Sequence, residues 1–307
     1  MSVLDVPTRH VEVVARLLNT GESSDLLREV QTLDFSAAGL PFYGIDGLFF
    51  LDDIADELSE ASFPGLIRVL IGGHGDVEGS RVAPMIMEIL GGLSFKTLDL
   101  SSTRTDRDGW RCIAQLPELA DLQRLNLNWT AIEPGCLAML LSAAPKVVSL
   151  SLRGSLPSQD HLDAVWQWAG MGRLESADFG RNRLAGLDLT AATSLRDLRI
   201  DGADLCVRDL TRLVRGLGLV ALDASDNPLE AGPQLGSLAP TLETLRLRHA
   251  GLDTACVQAL GRLDWQRIRT VDFSNHPQRT RERFGVMAAN RVATEATSGW
   301  PLAQGKN

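Results

Sequence analysis

Nowhere in the sequence is there a run of about 18 apolar residues, so no membrane-spanning helix is expected. The first ten residues, Met1 to His10, lack the basic stretch, apolar core and small-residue cleavage site of a secretory leader, which predicts a cytoplasmic location. Cysteine is scarce. Cys112, Cys136, Cys206 and Cys256 lie far apart with no C-x-x-C pair and no neighbouring histidine, which argues against a zinc site or a disulfide framework and predicts small buried residues instead. Lysine is nearly missing: of 30 basic residues only Lys96, Lys146 and Lys306 are lysine, a bias that fits a GC-rich genome and points to a bacterium. Positive charge is also in deficit, with a net charge of -9, so neither nucleic acid nor an anionic membrane is expected as a partner.

Catalytic signatures are lacking too. The glycine-rich stretch from Gly72 to Gly79 has neither the Gly-Lys-Ser/Thr of a phosphate loop nor the spacing of a dinucleotide fingerprint, and reads as a turn. The histidines at 10, 74, 161, 249 and 276 are scattered without an H-E-x-x-H pattern, which places them on surfaces and turns rather than on a metal. No Gly-x-Ser-x-Gly elbow occurs. No enzyme, cofactor or metal is expected.

What the chain does contain is a recurring phrase of apolar residues at the first, fourth and sixth places. Clear copies are Phe95-Lys-Thr-Leu98-Asp-Leu100, Leu122-Gln-Arg-Leu125-Asn-Leu127, Leu195-Arg-Asp-Leu198-Arg-Ile200 and Leu242-Glu-Thr-Leu245-Arg-Leu247. The central positions are Leu33, Val69 or Leu70, Leu98, Leu125, Leu150, Ala177, Leu198, Leu222, Leu245 and Val271; the second copy fits two registers. From Leu98 to Val271 seven steps cover 173 residues, about 25 each. After most copies comes a segment of helical period, such as Leu137-x-x-Leu140-Leu141 or Val82-x-x-Met85-Ile86-x-x-Ile89-Leu90. Gly91-Gly92, Pro145, Gly170 and Gly216 are expected to end these helices. The step from Ala177 to Leu198 is only 21 residues and is expected to lack a regular helix.

These phrases resemble leucine-rich repeats over residues 30 to 278. Thr103-x-Thr105-x-x-x-Gly109 and Thr130-x-Ile132-x-x-Gly135 look like the bacterial and ribonuclease-inhibitor-like subtypes, in which each strand is followed by a helix. The resemblance implies an α/β solenoid, a horseshoe or arc, with a parallel concave sheet and a mostly helical convex side. It also implies a buried Asn, Cys or Thr at the third place after the last strand leucine. Here that place holds Thr103, Thr130, Asn182 and Asn227, but Ala38, Ser155, Ala203 and Ala250 elsewhere, an incomplete ladder. Exposed repeat cores require covered ends. Residues 1–29, with Val11, Val14, Leu17 and Leu18 in a stripe, are expected to form an N-terminal helical cap, and 279–307 a C-terminal cap and tail.

The side chain after each central residue points away from the core. Stacked across repeats it gives Asp34, Asp99, Asn126, Ser151, Asp178, Arg199, Asp223, Arg246 and Asp272. The second half alternates in sign, which suits lateral neutralisation and equally suits recognition of a charged partner. Arg124, Asn128, Trp129, Arg153, Asp201, Arg248 and His249 lie beside that column. Trp129 stands out because Trp and Arg dominate interface hot spots, although packing over the turn onto Leu152 or Gly154 explains it equally well. Trp110, Trp166, Trp168 and Trp265 fall in helical segments and read as packing residues, with one of Trp166 and Trp168 turned outward. The function expected is a noncatalytic recognition scaffold holding a protein partner on its concave face, within a bacterial cytosolic complex or regulatory pathway. Resemblance to delivered bacterial effectors or to GTPase activators implies two alternatives: a secreted protein binding a host protein, or a regulator of a nucleotide-hydrolysing enzyme.

Overall fold

A computed structural model describes residues 91–229 and 240–260, together with 32–34, 68–71, 83, 86, 87, 90, 263 and 267–275. The expected caps, the 72–79 turn, Ala38 and Trp265 lie outside the described residues. The chain divides into two compact units, Met1–Leu195 and Arg196–Asn307.

In the first unit the repeat phrases become six parallel strands of three residues: β1 (Thr32–Asp34), β2 (Arg68–Leu70), β3 (Thr97–Asp99), β4 (Arg124–Asn126), β5 (Ser149–Ser151) and β6 (Ser176–Asp178). They pair in sequence order, with Leu33, Val69, Leu98, Leu125, Leu150 and Ala177 in register. This fixes the second repeat on Val69. Its neighbour Ile71 is also buried, while Leu70 takes the outward place that polar residues hold elsewhere. The strands are short because the apolar alternation lasts only from the fourth to the sixth place of each phrase before the chain turns.

The turns after β3, β4 and β5 lead to helices: α1 (Arg107–Ile113), α2 (Pro134–Ala143) and α3 (Gln159–Trp166). The Asp106 carboxylate accepts the Gly109 amide at 2.8 Å and so caps α1. A β-carbon at Gly109 would run into the Thr105 hydroxyl and Ala83, which is the physical content of the Thr105-x-x-x-Gly109 spacing. Pro134 opens α2, where its missing N–H costs nothing. Leu137, Leu140 and Leu141 are fully enclosed, as their spacing predicts, and α2 packs on both α1 and α3. Ile86 and Leu90 are likewise buried, joined by Ala83.

Pro145 follows the end of α2 as expected, but α3 stops at Trp166, four residues before Gly170. Gly170 has φ -78° and precedes a short 3₁₀ turn, Met171–Arg173. It is glycine because the Trp168 ring lies where a side chain would be. Trp168 is buried and Trp166 is 43% exposed, so one of the pair does face outward. The segment 179–196 holds no helix; Leu184, Leu187, Leu189 and Ala192 fill its interior.

The second unit repeats the scheme with β7 (Asp197–Arg199), α4 (Val207–Leu213), β8 (Ala221–Asp223), β9 (Thr244–Arg246), α5 (Thr254–Leu260) and β10 (Thr270–Asp272). Its four strands are parallel, with Leu198, Leu222, Leu245 and Val271 in register.

The buried polar ladder is more complete than a count of its members suggests. Asn182 Nδ2 donates to the carbonyls of Leu152, Phe179 and Gly180 at 2.8 to 3.1 Å, and its Oδ1 accepts the Leu156 amide at 2.8 Å. Asn227 Nδ2 likewise serves Ile200, Ala224 and Ser225, and its Oδ1 accepts the amides of Ala203 and Leu205, both at 3.0 Å. Each asparagine therefore satisfies its own turn and the preceding one, so the turn at Ala203 requires no polar side chain of its own. Ser155 and Thr130 share the corresponding duty, both donating to the Leu127 carbonyl. The Thr103 hydroxyl is enclosed and finds no partner among the described residues.

Two residue types depart from expectation. Cys136 and Cys256 are buried, but Cys112 and Cys206 are exposed. Cys112 sits on the outer side of α1, between the inward Trp110 and Ile113; Cys206 stands at the entrance of α4, its thiol donating to the Asp209 carboxylate at 2.9 Å. His161 is not a surface residue. It is buried on α3, with Nδ1 2.7 Å from the Ser158 hydroxyl and Nε2 2.9 Å from the Ile132 carbonyl, joining two repeats. Among the described residues no helix is long and apolar enough to cross a membrane.

Candidate interaction surface

Five of the outward residues after strand centres, all Asp or Asn, have a task that sequence reasoning missed. Asp99 Oδ1 accepts the Ser101 amide at 2.8 Å, Asn126 Oδ1 the Asn128 amide at 3.0 Å and Asp178 Oδ1 the Gly180 amide at 3.0 Å. In the second unit Asp223 and Asp272 do the same for Ser225 and Ser274. Each side chain closes a turn onto the backbone two residues on. The signal was present as Asp or Asn at the close of a strand, a residue type that hydrogen-bonds its own backbone better than it pairs across strands.

Two residues beyond each of these turns' midpoints the backbone is left-handed. Ser102, Trp129, Gly154 and Arg181 hold φ between +56° and +64° in the first unit; Gly202, Asp226, His249 and Asn275 hold +47° to +64° in the second. All stand four places after a strand centre. For a bulky residue this conformation costs about 1 kcal/mol or more, and Trp129 and His249 are the bulky aromatic residues among them.

Trp129 satisfies both readings of its position. Its ring lies over Gly154, where a β-carbon would overlap it, and its other side leaves the residue 53% exposed. The backbone beneath is fixed, since the Trp129 amide donates to the Arg153 carbonyl at 2.8 Å. Around it runs a polar network. Asn126 Nδ2 donates to Asp99 Oδ2 at 2.7 Å, Asn128 Oδ1 accepts from the Ser151 hydroxyl and the Arg153 amide at 2.7 Å, and Arg153 Nη1 reaches Asp178 Oδ1 at 3.4 Å. Arg124, Asn126, Trp129, Arg153 and Asp178 thus share one sheet face in the first unit.

In the second unit Arg199, Asp223, Arg246 and Asp272 stand in direct register, as the alternating column predicts. One ion pair beside this column is diagonal: Arg248 Nε lies 3.6 Å from Asp272 Oδ2. His249 Nδ1 is 3.3 Å from Asp226 Oδ1. Ser225 Oγ accepts the Arg248 amide at 3.0 Å, the part Asn128 plays for Arg153. Asp201 and Asp223 are only 7% and 6% exposed, so these two expected contact residues offer little surface. Burial, which penalises the charged form, pushes the Asp223 carboxyl above the usual carboxylate range; the Ser225 hydrogen bonds and Arg246 oppose this, while Asp201 adds to it. Among the described residues no group of three or more His, Cys, Asp or Glu is placed to hold a metal ion.

Short parallel strands in register, helices after most of them and a buried asparagine ladder define the α/β leucine-rich-repeat fold. Solved structures like it include the leucine-rich-repeat-containing protein LegL7 from Legionella pneumophila, with a TM-score of 0.52 at 14% identity over 85% of this chain and 91% of that one. An internalin from Listeria monocytogenes matches with a TM-score of 0.43 at 13% identity, over 95% of this chain and 91% of that one. The Rad7 and Elc1 complex of yeast matches with a TM-score of 0.41 at 13% identity, over 94% and 85%. No family model matches the sequence, and no curated protein matches it. At these identities the likeness concerns the fold alone.

Proposed function

We propose that the protein is a noncatalytic recognition scaffold that holds a protein partner on the concave face of its repeat sheet, in a bacterial cytosolic complex or regulatory pathway. The observation that carries this reading is Trp129: a large ring held half in water, on a strained and hydrogen-bonded backbone, over a glycine that admits it. Tryptophan is among the residue types enriched at interface hot spots. The left-handed turn recurs at this place in eight repeats, and at Trp129 the surrounding structure holds a bulky ring in it. Arg124, Asn126 and Arg153 would surround the anchor, with Asp178 positioning Arg153; Arg199, Arg246, Arg248 and His249 offer a second contact set. In the same reading the repeats belong to the strand-plus-helix, ribonuclease-inhibitor-like subtype, 30–278, closed by caps at 1–29 and 279–307.

The test is affinity capture from lysate of the source organism, comparing the natural chain with a Trp129→Glu, Arg246→Glu double variant whose circular dichroism and melting are unchanged. A partner held by the natural chain and lost by the variant is expected. A partner retained by both would move the site off this face, and turnover of a substrate abolished by either single change would replace the scaffold reading with a catalytic one.

A further inference from the structure

The outward column on the other side of the strand centres differs between the units. In the first it reads Thr32, Arg68, Thr97, Arg124, Ser149 and Ser176, all in register. It contains no carboxylate. Arg68 is exposed and Arg124 half-buried, and neither guanidinium has a hydrogen bond or ion pair among the described residues. With strands about 4.8 Å apart, their Cα atoms stand about 10 Å apart across β3. Thr97, on the strand between them, has a hydroxyl with no hydrogen-bond partner among the described residues. In the second unit the same column is Asp197, Ala221, Thr244 and Thr270, with no cation.

Two acids bordering the first column, Asp99 and Asp178, are already committed. Both oxygens of Asp99 accept hydrogen bonds, and Asp178 Oδ1 accepts from Gly180 and Arg153. What remains unspent on this face is two guanidinium groups, each with five donors, a row of hydroxyls and one indole ring. The column itself thus presents donors and two positive charges with no carboxylate among its members, even though the whole chain carries a net charge of -9.

We propose that this face of the first unit takes an acidic segment of the partner protein, its carboxylates on Arg68 and Arg124 and an apolar side chain on the exposed ring of Trp129. From Arg124 to Trp129 is five residues, at most about 17 Å at 3.3 Å each, so an extended segment of roughly five residues spans both. A nucleic-acid strand would offer the same anionic chemistry, but as an extended polyanion it would meet the chain's overall negative charge. The proposal rests on the scaffold reading and names the chemistry of its partner.

The experiment labels the full chain with 5-fluorotryptophan and follows its six tryptophans by fluorine NMR, the Trp129 resonance being assigned with Trp129→Phe. The probe is an acetylated heptapeptide, Asp-Glu-Asp-Leu-Glu-Asp-Glu, against its Asn/Gln counterpart. The Trp129 resonance is expected to move with the acidic peptide and not with the amide peptide, and Kd is expected to rise with salt. Arg124→Gln or Arg68→Gln should weaken binding about tenfold or more, the loss of one charge-assisted contact, with Arg124→Lys recovering part of it and circular dichroism unchanged. Equal shifts from both peptides, no shift at millimolar acidic peptide, or tighter binding of an oligothymidylate would overturn the proposal. A captured partner that depends on Trp129 but ignores Arg68→Glu and Arg124→Glu would also overturn it while leaving the scaffold reading in place.

Discussion

Asn227→Ala removes the residue on which two successive turns of the second unit depend. Its Oδ1 is the acceptor for the amides of Ala203 and Leu205, both at 3.0 Å, and its Nδ2 serves three carbonyls. Ala203 and Leu205 are fully enclosed, so water has no access to replace the lost acceptor. Two buried amides left unsatisfied cost about 1–3 kcal/mol each, which sets the expected loss at about 2–6 kcal/mol. That is a large part of the 5–15 kcal/mol typical of a folded domain. Urea unfolding followed by circular dichroism measures the loss, and hydrogen exchange at Ala203 and Leu205 locates it. Thr103→Val is the control: its hydroxyl has no partner among the described residues, so the change should be neutral or stabilising. A loss below about 1 kcal/mol for Asn227→Ala, with both amides still protected, or an equal loss for Thr103→Val, would refute the assignment of stability to these hydrogen bonds.

Gly154→Ala places a methyl group inside the Trp129 ring at a φ of +64°, so it should destabilise by about 1–2 kcal/mol and displace the ring; an unchanged fluorine resonance at Trp129 would contradict this. Asp223 has a raised pKa in the folded state, so folding retains its proton, and its contribution to stability falls as pH rises from the ordinary carboxylate range through that raised value. Asp223→Asn keeps the turn-closing oxygen and removes the charge, so stability measured from pH 4 to 7 should decline less steeply; Asp197, raised by burial, contributes in the same direction. A thiol reagent should modify Cys112 and Cys206 in the native protein and Cys136 and Cys256 only after unfolding, since burial also pushes the Cys136 thiol up and away from its reactive form. Four prompt thiols would contradict the burial.

The fold was legible because a solenoid writes the same short apolar phrase at a nearly constant period, and all ten strand centres fall where that phrase places them. Even the helix-free step after Ala177 followed from its length. What stayed hidden depends on contacts between repeats rather than within them. Gly170 looks like a helix stop, yet it serves Trp168; His161 looks like a stray surface histidine, yet it bridges Ser158 and the Ile132 carbonyl. The ladder looked broken at Ala203 because the acceptor for that turn sits 24 residues further on.

The candidate surface was half legible for a related reason. Alternation identifies which side chains leave the core, and Trp129, Arg124 and Arg153 do share the exposed face. It does not say how those side chains spend their hydrogen bonds. The acids that draw the eye as a recognition column are turned back on their own backbones, while the opposite column, which alternates less visibly between arginine and hydroxyl, holds the uncommitted donors. On a repeat sheet the charges that shape turns must be subtracted before the rest are read as a binding code. With the hydrogen-bonding capacity of Asp99 and Asp178 set aside, what is left uncommitted on this face among the described residues is two arginines and a tryptophan, residue types enriched at interface hot spots.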